Sequence, residues 1–186
     1  MPRFAEVRHE EWIAAPESRV RAQFADLQHH IDAGVHPKLS FRILEQQAVA
    51  RAAGRGGPGE GGAVSARYEQ RVRLLGITQR DVFERRFTPD GRMVDTSVEG
   101  FNRGGSLGFA FTPERRGAVE GTRVDITIRL PLPPVVGALL RPLLEAQVRK
   151  EVAAAAAEDR HDIEVRGYRP SGAPHAGTAA SLGLAG

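Results

Sequence analysis

Two ionisable side chains that could work together as an acid and a base lie two residues apart near the start of the chain. His9 and Glu11 fall in residues 3–14, where polar and apolar residues alternate as in a β-strand. Because strand side chains alternate between faces, both share a face with Ile13. If Ile13 points inward, the pair could transfer protons or orient a ligand hydroxyl or carbonyl. The alternative is a wet sheet edge that leaves both residues at the surface.

Three further histidines, His29, His30 and His36, lie close together in the sequence. Metal ligation on a helix commonly uses histidines four residues apart, whereas the spacings here are one and six or seven, across a predicted turn. We therefore predict surface or helix-capping roles for these histidines and no metal site.

Other common catalytic motifs are absent from the sequence. The chain has no cysteine, which excludes disulfides, thiolate chemistry and cysteine-ligated zinc. It has no Gly-x-Ser-x-Gly nucleophile elbow, and the glycine-rich stretch at 54–62 lacks the Gly-Lys-Ser/Thr ending of a phosphate-binding loop. The sequence therefore implies no cofactor, and it leaves open whether the protein is an enzyme.

The elements that position these residues begin with strand one, followed by two short helices. Pro16 suits the first turn of a helix, and Val20, Phe24 and Leu27 recur at helical spacing through residue 28. A second short helix or turn at 29–35 ends before Pro37, because the residue before proline disfavours helical geometry. Alternation at 38–46 predicts strand two, and 54–62 reads as a flexible loop.

The rest of the chain predicts five more strands and one long helix. The strands are expected at about 67–74, 77–88, 93–99, 106–112 and 123–130, separated by turn signals such as Pro89-Asp90-Gly91. Helical spacing then runs from about 134 to 165, with Pro142 near its beginning. The domain is expected to occupy residues 1–166, and residues 167–186, rich in Gly, Ala, Ser and Pro, are predicted to form a disordered tail.

The composition limits the partners and the location. The chain has 186 residues, 41% of them hydrophobic, which is enough for one domain with a proper core. The formal net charge is only +3, from 26 basic and 23 acidic side chains, so a nucleic-acid surface is not expected. No signal segment or membrane span is found, and we predict a cytoplasmic protein. Apolar side chains at 130–144 could contact a membrane transiently during lipid exchange.

The order of elements, together with three local features, resembles the START/Bet v 1-like superfamily, also called SRPBCC, of polyketide cyclases/dehydratases and lipid-transport proteins. Ile13-Ala14-Ala15-Pro16 resembles the opening of that family, and Gly121-Thr122 resembles its lead-in to the last strand. A proline break and a long terminal helix follow. The resemblance implies an α+β helix-grip fold, in which a curved antiparallel sheet of about seven strands wraps around a long C-terminal helix, with two short helices after strand one.

The resemblance also implies a cavity between the sheet and the helix, and the predicted faces say which side chains line it. The candidate ligand-binding residues are His9, Glu11, Tyr68, Gln70, Val72, Phe109, Phe111, Val124, Ile126, Ile128, Leu140, Leu144 and Val148. Any of the apolar ones could instead be core packing.

Three functions follow from this fold. The first is a carrier or sensor that binds a small hydrophobic ligand, such as a lipid or a polyketide-like aromatic molecule. The second is a cyclase- or dehydratase-type enzyme, for which His9 and Glu11 are the best catalytic candidates. The third is a protein-interaction domain with a vestigial cavity, and protein partners are not indicated.

Overall fold

The computed structural model describes residues 4–46, 64–74, 76–132 and 137–171, so the predicted glycine-rich loop at 54–62 lies outside the described residues. This part of the chain contains seven strands: β1 (Phe4–Ile13), β2 (Leu39–Gln46), β3 (Val64–Leu74), β4 (Ile77–Phe87), β5 (Met93–Gly100), β6 (Ser106–Arg116) and β7 (Val119–Pro131). Each contains one of the segments with period-2 alternation, and β6 and β7 extend further than the sequence predicted.

The strands form one antiparallel sheet in the order β1-β7-β6-β5-β4-β3-β2. From β2 to β7 each strand pairs with its neighbour in sequence, which makes this part a meander. β1 joins the far edge by pairing with β7, with Ile13 opposite Thr122 and Val7 opposite Ile128. This sheet, with the helices described next, confirms the predicted α+β helix-grip class.

Three helices complete the fold: α1 (Glu17–Ala25), α2 (Leu27–Asp32) and α3 (Gly137–His161), and α3 continues into a π-helical turn at Asp162–Arg166. Helix α1 ends earlier than its apolar spacing predicted because Asp26 interrupts it. The Asp26 side chain accepts a hydrogen bond from the His29 backbone N–H and so caps the start of α2. Pro142 lies within α3, where it removes one backbone hydrogen bond without ending the helix.

The main core lies where α1 and α3 pack on the β1, β6 and β7 side of the sheet. It includes fully buried Ile13, Val20 and Val124, with Val148 and Val152 from α3. A second apolar cluster lies at the β2–β4 side and contains Leu27, Ala66, Tyr68 and Phe83. The C-terminal helix is therefore held in the curve of the sheet, and the space between the two clusters is where a cavity can form.

Gly121 and Thr122 allow β7 to approach the end of β1 closely. A Cβ on Gly121 would lie 2.5 Å from the Trp12 ring and 2.6 Å from the Ile13 carbonyl oxygen, so only glycine allows this close approach of β7 to β1. The fully buried Thr122 donates its hydroxyl to the carbonyl of Ala15 at 2.8 Å. Together these residues hold the end of β1 and the Ala-Pro turn against β7.

We therefore expect Gly121→Ala to lower the free energy of unfolding by about 1–3 kcal/mol, because Trp12 and the β1 backbone must shift to accommodate the methyl group. Gly108→Ala in β6 is the matched control, since its Cβ would meet only the Thr127 carbonyl oxygen at 3.9 Å. Urea unfolding of both variants measures the difference. Equal stabilities would show that the β1–β7 contact does not need glycine.

The described chain extends past the predicted domain boundary at residue 166. Tyr168, predicted to lie in a disordered tail, is buried, and its ring packs edge-on against His29 with centroids 4.8 Å apart. Its hydroxyl and the Ser171 hydroxyl both donate to the Asp26 carboxylate. The first residues after the π-helical turn are thus anchored to the loop between α1 and α2. Residues 172–186 lie outside the described residues.

Candidate functional site

A cavity of about 190 Å³ lies between the inner face of the sheet and helix α3. Its walls are mostly apolar, with a few polar groups. Seven of the residues predicted to line a ligand cavity do so: Tyr68, Gln70, Val72, Phe109, Ile126, Ile128 and Val148. They come from β3, β6, β7 and α3. The cavity therefore lies on the sheet face that the period-2 patterns predicted to point inward.

Three predicted lining residues belong to the packed core instead. Phe111, Val124 and Leu144 are part of, or packed against, the main apolar cluster and do not line the described cavity. The Phe24 ring of α1 packs edge-on against Phe111, with centroids 5.5 Å apart, and itself lines the cavity. Phe24 therefore screens this end of β6 from the open space. The side chain of Leu140 lies outside the described part of the structure.

His9 and Glu11 share the inner face of β1, but they pack against α3 and are not among the described residues that line the cavity. The imidazole Nε2 of His9 lies 3.3 Å from a Glu11 carboxylate oxygen, and the other Glu11 oxygen accepts from Arg160 at 2.6 Å. The predicted pairing exists, but here it links β1 to the end of α3. This location does not support the predicted acid–base role within the cavity, because α3 covers the inner face of β1.

The first polar group of the cavity wall is a buried trio from β3, β4 and β5. The Arg85 guanidinium donates two hydrogen bonds to the Asp95 carboxylate, both 2.8 Å long, and the Tyr68 hydroxyl donates to the same carboxylate at 2.7 Å. Arg85 also donates to the carbonyl oxygens of Phe24 and Ala25 at the end of α1. The trio thus directs its hydrogen bonds to one carboxylate and to carbonyl oxygens at a helix end, where the helix itself supplies no donors.

Burial and the nearby Asp95 charge raise the pKa of Tyr68 well above its usual value, so the phenol stays neutral and remains a donor. Burial lowers the pKa of Arg85, but Asp95 outweighs it and the net shift is upward, which keeps the guanidinium charged. The trio is therefore a fixed, charge-assisted network whose edges face the cavity.

A second polar group lies at the end of β4, where Asp81 and Gln79 line the cavity. The Asp81 carboxylate accepts hydrogen bonds from the Asn102 backbone N–H at 2.6 Å and from its side-chain amide at 2.8 Å. It also accepts from the Ser97 hydroxyl at 3.1 Å. The Asn102 amide donates as well to the Gln79 carbonyl oxygen at 3.0 Å. These bonds hold the turn between β5 and β6 against the start of β4.

The third polar group contains two of the three clustered histidines and corrects their predicted surface position. His30 and His36 are only 7% and 8% exposed, and both line the cavity with the buried Asp159 of α3. Their Nε2 atoms lie 3.2 and 3.3 Å from the same Asp159 carboxylate oxygen. Burial lowers the pKa of His36, but Asp159 and Glu158 outweigh it and raise that pKa to about 9.

His29 belongs to the adjoining network. Its Nε2 lies 2.8 Å from an Asp162 oxygen, and the fully buried Gln23 amide donates to both Asp159 and Asp162, at 3.0 and 3.3 Å. Gln23 thus connects the two carboxylates of α3 and its π-helical turn. The histidine-rich segment and the end of α3 form one continuous polar network at the side of the cavity.

Most of these polar lining residues were not predicted from the sequence. Asp81 and Arg85 alternate with Phe83 on the inner face of β4, and Asp95 follows Met93 by two residues in β5, so period-2 counting could have found them. No comparable signal joins His30 to Asp159, which lie 129 residues apart in the chain.

Comparisons with known proteins find matches among solved structures only. No known family profile matches the sequence, and no curated protein matches it either. Among solved structures, the TTHA0849 protein of Thermus thermophilus is 22% identical with a TM-score of 0.67, covering 85% of this chain and 96% of that one. A START superfamily protein of Mycobacterium smegmatis is 12% identical with a TM-score of 0.63, covering 85% and 98%.

The Zhui aromatase/cyclase of a Streptomyces species is 18% identical with a TM-score of 0.60, covering 90% of this chain and the whole of the other. These likenesses agree with the strand order and the gripped helix. The chain therefore has the START/Bet v 1-like helix-grip fold. No helix in the described residues has the length and apolar character needed to cross a bilayer.

Proposed function

We propose that this protein binds a small hydrophobic ligand in its internal cavity, as a carrier or sensor. The observation that carries the proposal is the open volume of about 190 Å³. Its described walls are mostly apolar and hold the three polar groups described above, together with Gln70 and Glu151. Small-molecule sites typically combine such apolar walls with a few fixed polar groups that orient the ligand. A protein-interaction domain with a vestigial cavity gains no support from this open volume.

The size and polarity of the cavity restrict the ligand class. Because an engineered apolar cavity of about 150 Å³ in another protein holds benzene, a molecule of roughly one to two rings fits here without opening the sheet. Tyr68 and Gln70 both line this space. The Gln70 amide offers a donor and an acceptor to a ligand, whereas the Tyr68 hydroxyl already donates to Asp95 and can only accept from a ligand hydroxyl. A polyketide-like aromatic molecule of one or two rings with one polar end meets both requirements.

Native mass spectrometry of freshly purified protein tests this proposal. We expect a species heavier than the polypeptide by the mass of one small molecule, which disappears when the same sample is denatured. Protein stripped by organic extraction and refolded is the control, and it should bind the two-ring probe 6-propionyl-2-(dimethylamino)naphthalene with an increase in fluorescence. A protein that carries nothing and also leaves the fluorescence of this probe unchanged would contradict the proposal.

A cyclase- or dehydratase-type enzyme is the second candidate, and the ionisable groups at the cavity wall favour it. His30, His36 and Asp159 face the space a ligand would occupy, whereas the predicted pair His9 and Glu11 does not. The two functions differ in what happens to the bound molecule. A carrier returns it unchanged after incubation, whereas a dehydratase returns a product lighter by one water.

A further inference from the structure

The hydrogen bonds of His30 and His36 define which ring nitrogen of each carries a proton. The Nδ1 of His30 lies 2.8 Å from the Asp26 carbonyl oxygen, and the Nδ1 of His36 lies 2.9 Å from a Glu158 carboxylate oxygen. A carbonyl and a carboxylate can only accept, so both Nδ1 atoms are donors. Nε2 is therefore the ring nitrogen of each histidine that can bind a metal ion, once it has lost its own proton.

Both Nε2 atoms lie close to one carboxylate oxygen. The Nε2 atoms of His30 and His36 lie 3.2 and 3.3 Å from the same Asp159 oxygen, and all three residues are buried. Protons on the imidazoles occupy the same N···O gaps when no metal is bound. A metal ion placed between the three atoms has to displace these protons, so metal binding competes with protonation.

We propose that His30, His36 and Asp159 bind a divalent transition-metal ion that faces the ligand cavity. Their three ligand atoms lie within 4.8 Å of one another. Because metal–nitrogen and metal–oxygen bonds are about 2.0–2.2 Å long, closure around an ion requires side-chain shifts of roughly half an ångström. Two imidazoles and one carboxylate form a donor set suited to Zn²⁺, Fe²⁺ or Co²⁺ rather than to Ca²⁺ or Mg²⁺.

The surroundings have the arrangement that supports ligating side chains in metal sites. Ligating histidines usually donate their other ring N–H to a carboxylate or a carbonyl, which orients the ring and raises its basicity. Glu158 and the Asp26 carbonyl do this here, and the Gln23 amide donates to the Asp159 carboxylate at 3.0 Å. Each of the three proposed ligands therefore has its own orienting partner.

Three protein ligands leave coordination positions open, and all three residues line the cavity. The open position takes water or an oxygen atom of the bound molecule, and the metal ion then polarises a bound carbonyl as a Lewis acid. Polarisation of a ligand carbonyl rests on the proposed ligand function. Metal binding does not, so a failed metal-binding experiment and a failed ligand-binding experiment can be told apart.

Cobalt binding tests the site without any organic ligand. Tag-free protein is treated with EDTA, freed of the chelator and titrated with Co²⁺, then with Zn²⁺ in competition. We expect visible absorption bands of nitrogen- and oxygen-ligated Co²⁺ at one equivalent, their loss on addition of Zn²⁺, and a higher Tm with either metal. An unchanged spectrum and an unchanged Tm would overturn the proposal.

Asp159→Asn and His36→Ala should each weaken Co²⁺ binding by at least ~100-fold, since each removes a direct ligand. The matched control is His161→Ala, which removes an exposed histidine from the same helix and should leave the titration unchanged. Circular dichroism checks that each variant folds. If the buried variants unfold, Glu158→Gln, at a partly exposed residue, should still weaken binding by about 10–100-fold. Cobalt bands that persist in folded variants, or that disappear in His161→Ala, would place the metal elsewhere.

Discussion

Asp95→Ala should destabilise this protein more than any other single change described above, lowering the free energy of unfolding by about 3–5 kcal/mol. The Arg85 and Asp95 side chains are only 6% and 1% exposed, and they form two parallel hydrogen bonds. Removing the carboxylate leaves a buried guanidinium without a counter-charge, and it also deprives the Tyr68 hydroxyl of its acceptor. Both losses occur where water cannot compensate. Urea unfolding followed by circular dichroism measures the effect.

Two comparisons separate charge burial from general damage to the fold. Glu6→Ala removes one partner of an exposed ion pair with Arg8, whose side chains are 39% and 79% exposed, and should cost about 0–1 kcal/mol. The double change Arg85→Met with Asp95→Leu removes both charges and should recover much of the stability lost in Asp95→Ala. If Asp95→Ala proves no worse than Glu6→Ala, the buried network does not stabilise the fold as argued.

Ala155→Phe should abolish binding of a small apolar molecule while the fold is retained. Ala155 lines the cavity from α3, so a phenyl ring at this position occupies much of the 190 Å³ that a ligand needs. We expect the fluorescence of 6-propionyl-2-(dimethylamino)naphthalene bound to stripped protein to fall by at least about tenfold at a given probe concentration, a loss equivalent to roughly 1.4 kcal/mol or more. A titration of the probe measures the loss.

The matched control is Ala154→Phe, which places the same ring on the neighbouring residue of α3, outside the set of described lining residues. Binding should be unchanged there. Overfilling a packed site costs about 1–3 kcal/mol of stability, so thermal unfolding of both variants shows whether any loss reflects unfolding. Undiminished binding by folded Ala155→Phe would place the probe outside this cavity and weaken the ligand proposal with it.

Regular alternation and spacing were sufficient to predict the elements of the fold. Period-2 runs such as Val124, Ile126 and Ile128 gave the strands, and the helical repeat through Val148 and Val152 gave α3, because each pattern reflects one buried face. The short turns implied the antiparallel meander that the structure confirms. The predicted ends of the elements were less accurate, because local polar contacts such as the Asp26 cap determine where a helix begins or ends.

Division of the inward residues between cavity and core could not be predicted in this way. Phe109 and Phe111 share one face of β6, yet only Phe109 lines the cavity, because the Phe24 ring covers Phe111. Likewise His9 and Glu11 face inward on β1 but lie under α3 and pair with Arg160. Periodicity specifies the face of a strand but not which element packs on it.

The sequence alone therefore determined the order of strands and helices and the sides they bury, since those follow from each residue and its near neighbours. Only the tertiary structure decided where open space remains and which distant side chains meet beside it. His30 and Asp159 approach within 3.2 Å across 129 residues of chain because α2 and α3 both pack against the sheet. That convergence depends on the packing of whole elements, which no local pattern encodes.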